Sequence, residues 1–475
     1  MFIIKGIYHA IMAFTTWIWG WPMLIISASI ALYLSIRFGF FQFRKFGHCV
    51  KNTLGKIFDK NAGDGAVSPF QASCTALAST LGVGNIAGVS VAIATGGVGA
   101  IFWMWCIALL GLVVKFSEIA LALTYRVKKK DSNEYFGGFF WYVKRGLGKH
   151  WTWLSVIWAV LLICCMALSP AVQCNALASS VTGTWDVNPL IIGIITAALM
   201  GLVLIGGLKS ISRFAELVVP LMALAYVVVS IGALIRFAPN ILPAFGMIFH
   251  DAFTGSAAAG GFAGSTTIIA IRCGLSRGVY SNEAGTGTAP LAHSSATVDH
   301  PVKQALWGIV EVFIDTMVVC TMTGLVVICS GAWQNGSTNA ALTAEAFGIA
   351  FGNTQFGAIF ITIITAFFAF TTAVVNVYYG EVGLEALNIG KAKRPYRIIC
   401  CVMAIVGSVG ALSTIWNLFD FFFGVLALMN LAVIFAMRNK IAAVIRDYLV
   451  RLKENRWEKS CEETVAKIEE VKVKE

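Results

Sequence analysis

Residues Thr80-Leu81-Gly82-Val83-Gly84-Asn85-Ile86-Ala87-Gly88 set three glycines and an asparagine in the middle of an apolar run covering 70–94. A run of that length is what a helix needs to cross about 30 Å of hydrocarbon at about 1.5 Å per residue. Each interior glycine weakens a helix by about 1 kcal/mol relative to alanine, so this one is weakest at mid-depth. A break there frees N–H groups at the start of one half-helix and carbonyls at the end of the other. Left unpaired in lipid these groups are costly, so breaks survive only where something polar lines up with them. Freed amides suit a carboxylate, and freed carbonyls suit a cation or an ammonium. A zwitterion accompanied by a metal cation matches that pair of ends.

A second stretch has the same character. Gly255, Gly260, Gly261 and Gly264 fall within ten residues at the seventh apolar span. Taken singly, either stretch also reads as close helix packing through small residues. Taken together, they lie five spans apart, an odd number, so they cross in opposite directions. Paired interruptions at corresponding places in two halves point to an inverted-repeat transporter with its site at the midplane.

The remainder of the chain supplies the spans. Of 475 residues, 58% are hydrophobic and 12% charged, whereas soluble domains carry about 25% charged residues. So little charge cannot dress a water-facing surface, and the solvent must be lipid. Barrel strands alternate over about 10 residues; the apolar stretches here run unbroken for about 20, the length of a spanning helix. The fold class is therefore an all-α membrane protein of eleven transmembrane helices. They are expected near 14–36, 70–94, 97–125, 151–180, 189–207, 213–236, 254–275, 303–330, 355–380, 396–414 and 417–437. The first, 1–36, is peripheral and is followed by a basic cytoplasmic loop at 37–69. Two inverted five-helix repeats, 70–236 and 254–437, form the core, and 438–475 is a charged cytoplasmic tail, read as a surface helix or a disordered segment.

Charge placement tests the span count. Segments 37–60, 126–149, 209–213, 272–303, 391–397 and 438–475 hold 32 of the 35 Lys and Arg. Basic loops face the cytoplasm, so the N-terminus lies outside and the tail inside. The net charge of +11 is accounted for in this way and implies no nucleic-acid partner. The apolar run at 14–36 is too long for a signal peptide and stays as a helix. The twelve cysteines show no CxxC and no paired spacing, the pattern of buried reduced thiols rather than disulfides or a metal site.

The stretches FQASCTALASTLGVGNIAGVSVAIATGGVGAIFWMW (70–105), KFSEIALALTYR (115–126), GGFAGSTTIIAIRCGLSRGVYSNEAGTGTAPLAH (260–293) and YYGE (378–381) resemble signatures of the alanine/glycine:cation symporter family. The resemblance implies a LeuT-like fold and sodium-driven import of small neutral amino acids such as alanine and glycine across the plasma membrane. It also implies residue roles. Sodium, the co-transported ion, would be held by the carbonyls of Ala78, Leu81 and Phe368 with the hydroxyls of Thr371 and Thr372. Neutral hard oxygens suffice for a monovalent ion. The substrate carboxylate would rest on the amides near Val83 and Gly84, helped by Thr80 and Asn85. Gln173 matches a glutamine that the family uses at the ligand, and the ammonium would face Gly260, Gly261 and Phe262. Thr371 and Thr372 also have a structural reading, as hydroxyls that bond the preceding turn. Two residues depart from the family pattern: Val83 replaces a usual Thr and Asn376 a usual Trp. Both bear on the substrate, and Asn376 leaves room for a side chain larger or more polar than alanine's.

Ionisable residues inside spans are functional suspects. Lys115 and Glu118 share one face of the third span, Glu311 and Asp315 one face of the eighth. Lys115 is expected to pair with Glu311 or Asp315, as a structural cluster, a gate or a proton relay. The glycine-rich breaks carry no Asp or Glu, which favours sodium over a proton as the driving ion. An enzyme is excluded: the six histidines are scattered and neither HExxH nor GxSxG occurs. Asn282, Glu283 and His293, read as part of a cytoplasmic loop, make no acid–base pair in that reading. Proton-coupled transport and a transporter-like receptor remain as alternatives. Oligomeric state is not encoded in any of these features.

Overall fold

The computed structural model describes residues 2–57, 63–129, 133–254, 267–410, 413–458 and 460–466. Apart from a two-residue hairpin, Val127–Lys128 paired with Tyr135–Phe136, the regular structure is helical. An N-terminal pair, α1 (Phe2–Ile18) and α2 (Trp21–Arg37), is separated at Gly20 and Pro22. An interrupted helix follows, α3 (Pro69–Thr80) and α4 (Ala87–Gly96). Next come α5 (Ala100–Thr124), α6 (Thr152–Thr184), α7 (Pro189–Ile205) and α8 (Gly207–Arg236). After α9 (Ala238–Thr254) a second interrupted helix appears, α10 (Thr267–Asn282) and α11 (Ala289–His293). The chain continues through α12 (Pro301–Ser330), α13 (Asn339–Phe351), α14 (Thr354–Ala386), α15 (Lys393–Val409) and α16 (Ser413–Ala436). It closes with α17 (Arg438–Glu454).

Seven helical stretches among the described residues are long and apolar enough to cross a membrane: His9–Arg37, α5, α6, α8, α12, α14 and Thr414–Ala436. The outer surface of α8 shows what they face. Leu217, Leu221, Leu224, Val228 and Ile235 recur at helical spacing and are all more than half exposed, an apolar stripe that only lipid can cover. Among the described helices the most extensive contact is between α14 and α6, and α3 is held between α8 and α14.

Local sequence explains where the first interrupted helix starts and stops. Ser68 accepts from the Gln71 amide while the Gln71 side chain accepts from the Ser68 amide, with Pro69 at the first position, a reciprocal cap. After Thr80 the chain leaves helical geometry at Leu81, and a single 3-10 turn, Val83–Asn85, bridges to α4.

Several expectations change. The glycines at 255, 260, 261 and 264, with Phe262, lie outside the described residues. The seventh span, expected at 254–275, is helical over Thr267–Asn282. The segment 272–303 is no loop: Ser281 to Ser295 is buried throughout and contains a helix break. Three residues there, Glu283, Gly285 and Gly287, have φ of 54°, 90° and 82°, the left-handed region that glycine tolerates best. Arg272 and Arg277 therefore sit on a helix beside a cavity with Trp19 and Asp420, not in a cytoplasmic loop. α9 and α13 are helices where connections were expected. The tail begins as an amphipathic helix that buries Ile441, Val444, Ile445 and Tyr448.

Candidate functional site

The two breaks lie against each other, and side chains take up some of the polar groups they free. At the first break, Gly82 N donates to Asn85 Oδ1 (2.9 Å). Asn85 Nδ2 in turn donates to Asp315 Oδ1 (2.7 Å) and Ser281 Oγ (3.0 Å). The Asn85 carbonyl accepts from Thr323 Oγ1 (2.8 Å) and that of Ile86 from Thr343 Oγ1 (3.3 Å). Among the described residues no acceptor is recorded for the amides of Val83 and Gly84. Val83 stands at the floor of a cavity of about 760 Å³. Ala176, Ser180, Thr184, Asn339, Thr362 and Trp416 line its walls.

The opposite end of the bundle is sealed. Residues 63–67 pair with 295–298, as in Ala66 N to Ser295 O (2.8 Å) and Thr297 N to Val67 O (2.9 Å). Arg126 clamps this seam through the carbonyls of Ser294, Ala296 and Asp64 at 2.8–3.0 Å. Thr464, in the tail, donates to the Asp299 carbonyl (2.7 Å). The vestibule therefore opens to one side only.

The proposed sodium oxygens divide into two kinds. Thr372 Oγ1 reaches across from α14 to the Ala78 carbonyl (3.0 Å), with that of Ser79 at 3.3 Å. A Cβ at position 82 would sit 2.9 Å from this hydroxyl, so glycine is what permits the approach. Thr371 Oγ1 instead bonds its own preceding turn, at the carbonyls of Phe367 (3.0 Å) and Phe368 (3.1 Å). Thr80 likewise turns back to Leu77 O (3.3 Å). Asn376 is engaged on both atoms: Oδ1 lies 2.9 Å from Ser79 Oγ, and Nδ2 donates to Ser169 Oγ (2.7 Å). Gln173, one turn beyond Ser169 on α6, is buried with Oε1 unpartnered. Asn85 serves the join between helices.

At the second break, charge meets backbone ends of opposite polarity. Lys115 Nζ donates to the Asn282 carbonyl at the end of α10 (3.0 Å). Glu118 Oε2 accepts from the Gly287 amide (3.1 Å) just before α11 and from Asn430 Nδ2 (2.8 Å). A cation at a helix C-terminus and an anion near an N-terminus each complement the helix dipole. This corrects the expected ion pair of Lys115 with Glu311 or Asp315, which is not formed. Glu311 instead lies 2.9 Å from His293 Nε2 and accepts from Ser73 Oγ (2.7 Å), tying α11 to α3. Asp315 ties Asn85 to Ser281. Glu283 emerges as a buried carboxylate between the breaks, accepting from Thr288 Oγ1 at Oε2 (2.6 Å) with Ser79 Oγ 3.1 Å from Oε1. The inference that the breaks carry no acid fails for this second one. The dense polar run SNEAGTGT reads as a loop until its partners from α3, α5, α12 and α16 are known.

Seven membrane-length helices packed around two shorter, interrupted ones beneath a vestibule make a multi-pass membrane architecture. Solved structures share this fold. MhsT in complex with L-phenylalanine matches with a TM-score of 0.54 at 15% identity, covering 81% of this chain and 90% of that one. Mhp1, a nucleobase-cation-symport-1 family transporter, matches at 0.51 and 14% identity over 83% and 82%. The sodium:alanine symporter family model matches residues 4–462, and the chain belongs to that family. It is 38% identical to the sodium/alanine symporter AgcS of Methanococcus maripaludis over 88% of this chain and 91% of the relative. It is 34% identical to the probable sodium/glutamine symporter GlnT of Bacillus subtilis over 91% and 88%.

Proposed function

We propose that this transporter couples inward movement of sodium to import of a small neutral amino acid by alternating access. The observation that carries the reading is the first break: two amides without acceptors among the described residues, with Val83 in the vestibule lining, beside a hydroxyl–carbonyl contact between Thr372 and Ala78. The substrate carboxylate takes the Val83 and Gly84 amides. Sodium takes the carbonyls of Ala78, Leu81 and Phe368 and the hydroxyls of Thr372 and Thr371, with Thr372 turning from hydrogen-bond donor to ligand. All five are neutral oxygens, the donor set a monovalent hard cation accepts. Gln173 Oε1 supplies an acceptor for the ammonium, in company with the segment around Gly260, Gly261 and Phe262.

The two helix series, 70–236 and 254–437, act as inverted repeats, and residues 1–36 stand outside them. With α3/α4, α7, α10/α11 and α15 added to the seven long helices, the chain crosses eleven times. Its N-terminus is outside and its tail cytoplasmic, so the vestibule faces outward. One charge moving inward gains about 2.3 kcal/mol per 100 mV of membrane potential. AgcS and GlnT, by their names, carry alanine and glutamine with sodium; Asn376 in place of a tryptophan suits the larger or more polar end of that range. Uptake of labelled alanine, serine and glutamine into proteoliposomes tests the reading. Replacing sodium by choline should abolish it, and uptake indifferent to sodium would refute sodium coupling. A receptor would bind label but show no counterflow.

A further inference from the structure

We propose that a second binding site, for a zwitterionic amino acid, lies between Arg277 and Asp420 where the N-terminal helix meets the core. The inference goes beyond sodium-coupled import and takes from that reading only the class of ligand.

The site is a cavity of about 470 Å³ whose lining includes Ser276, Arg277 and Tyr280 of α10, Thr95 of α4, Asp420 of α16 and Trp19 after α1. It shares no lining residue with the vestibule. Tyr280 divides it from the first break: a Cβ at Gly84 would lie 3.3 Å from the tyrosine ring, which also packs edge-on against Phe419 and Phe423. Arg272 and Thr16, both exposed, stand at the mouth, with Arg272 Nη2 3.5 Å from the Thr16 carbonyl.

Neither charge in this cavity has a protein partner. Among the described residues no hydrogen bond or ion pair is recorded for the Arg277 guanidinium or the Asp420 carboxylate, although both line the same space. Arg277 lies about 8 Å along α10 from the break that follows Asn282. A charge so far inside a spanning helix is costly unless an opposite charge or water meets it. A simple anion drawn to Arg277 would face Asp420, and a simple cation drawn to Asp420 would face Arg277. A ligand that carries both signs satisfies both. Its carboxylate takes the guanidinium fork, and its ammonium takes the Asp420 carboxylate. Met12, Trp19 and Val91 supply an apolar wall for the rest of the molecule, and Arg272 at the mouth draws carboxylates in.

The N-terminal helix gains a purpose from this site. Trp19 Nε1 donates to the Asp420 carbonyl (2.9 Å), and its ring stacks on Phe423 at 6.3 Å. A Cβ at position 424 would lie 3.0 Å from Trp19 Nε1, so the glycine there permits the approach. The junction of α1 and α2 is thereby fixed beside the carboxylate, and Met12, Thr15 and Thr16 complete the wall. Without that wall the cleft between α4, α10 and α16 would present both charges to lipid. Occupancy is also felt at the first break, because a ligand against Tyr280 bears on the ring that covers Gly84.

The test has two arms on the full-length protein in lipid nanodiscs. Equilibrium binding of labelled alanine, serine and glutamine should give two sites per chain for at least one of the three. Arg277→Met and Asp420→Asn should each leave one site, as should Ser276→Trp, which fills the cavity and keeps both charges. Cys273 also lines the cavity. In the wild type, the same amino acid at about ten times its dissociation constant should slow labelling of Cys273 by a small thiol reagent about tenfold, and Asp420→Asn should remove that protection. One site in the wild type, two sites kept in any of the three variants, or an unprotected Cys273 would each overturn the proposal. Should the variants fail to fold, the wild-type site count and Cys273 protection still decide. One site with sodium-driven uptake intact overturns the second site alone, two sites without sodium-driven uptake overturn the import reading alone, and no bound amino acid overturns both.

Discussion

Replacing Lys115 by methionine isolates what the buried cation does. Methionine keeps the length of the stem, so little cavity opens. What is lost is the charged hydrogen bond to the Asn282 carbonyl and the positive charge among Glu118, Glu283, Glu311 and Asp315. A hydrogen bond to a charged group contributes about 1.5–3 kcal/mol, and removing one member of a buried charge cluster costs about 3–5 kcal/mol. These overlap, so we expect about 3–5 kcal/mol in total, read as a large drop in the thermal midpoint of the purified transporter in detergent. The partner is identified by a double-mutant cycle. Because Lys115 caps α10 rather than pairing with Glu311, Lys115→Met and Glu311→Gln should couple by less than about 1 kcal/mol, whereas a direct contact approaches about 3 kcal/mol. Lys115→Met with wild-type stability, or strong rescue by Glu311→Gln, would refute the capping account.

Four further outcomes are expected. Thr372→Val removes the hydroxyl that crosses to Ala78 and should raise the sodium concentration for half-maximal alanine uptake at least tenfold, about 1.4 kcal/mol. Thr371→Val, whose hydroxyl already bonds its own turn, should raise it less, and equal effects would remove the distinction. Asn376→Trp should shift counterflow selectivity from serine and glutamine toward alanine and glycine; an unchanged order means residue 376 does not set pocket size. At the tail, burial lowers the pKa of His300, while the bonds from His300 and Arg451 hold Asp447 below its usual range. A docked tail that keeps His300 neutral loses stability as pH falls below about 6.5, where the undocked imidazole takes up a proton, and the Asp447 contribution is lost only at still lower pH. Hydrogen exchange in α17 should accordingly be faster at about pH 5.5 than at about pH 7.5, and equal rates would contradict the docking.

The long apolar spans and the first break were legible because their signals are local: run length, and glycines with an asparagine inside a run. The second break was not. Glu283, Gly285 and Gly287 sit in a segment as polar as a loop, and what buries it comes from Lys115, Glu118 and Asn430, more than a hundred residues away in sequence. The same misreading put Arg272 and Arg277 among the cytoplasmic charges. Thr371 and Thr372 are adjacent and chemically alike, so no sequence pattern separates the hydroxyl that bonds its own turn from the one that crosses to α3. α9 and α13 are helices too short or too amphipathic to register as spans. The tail's charge pattern left a surface helix and a disordered segment both open, and its docking depends on Thr464, Tyr448 and Trp457 meeting residues near 300.

A cryomicroscopy map of the transporter with sodium and alanine tests the central claim most directly. The account predicts the amino-acid carboxylate within hydrogen-bonding distance of the Val83 and Gly84 amides, and an ion between Thr372 Oγ1 and the Ala78 carbonyl. Passenger density away from Val83 and Gly84, with the Thr372–Ala78 hydrogen bond intact and no ion beside it, would contradict it.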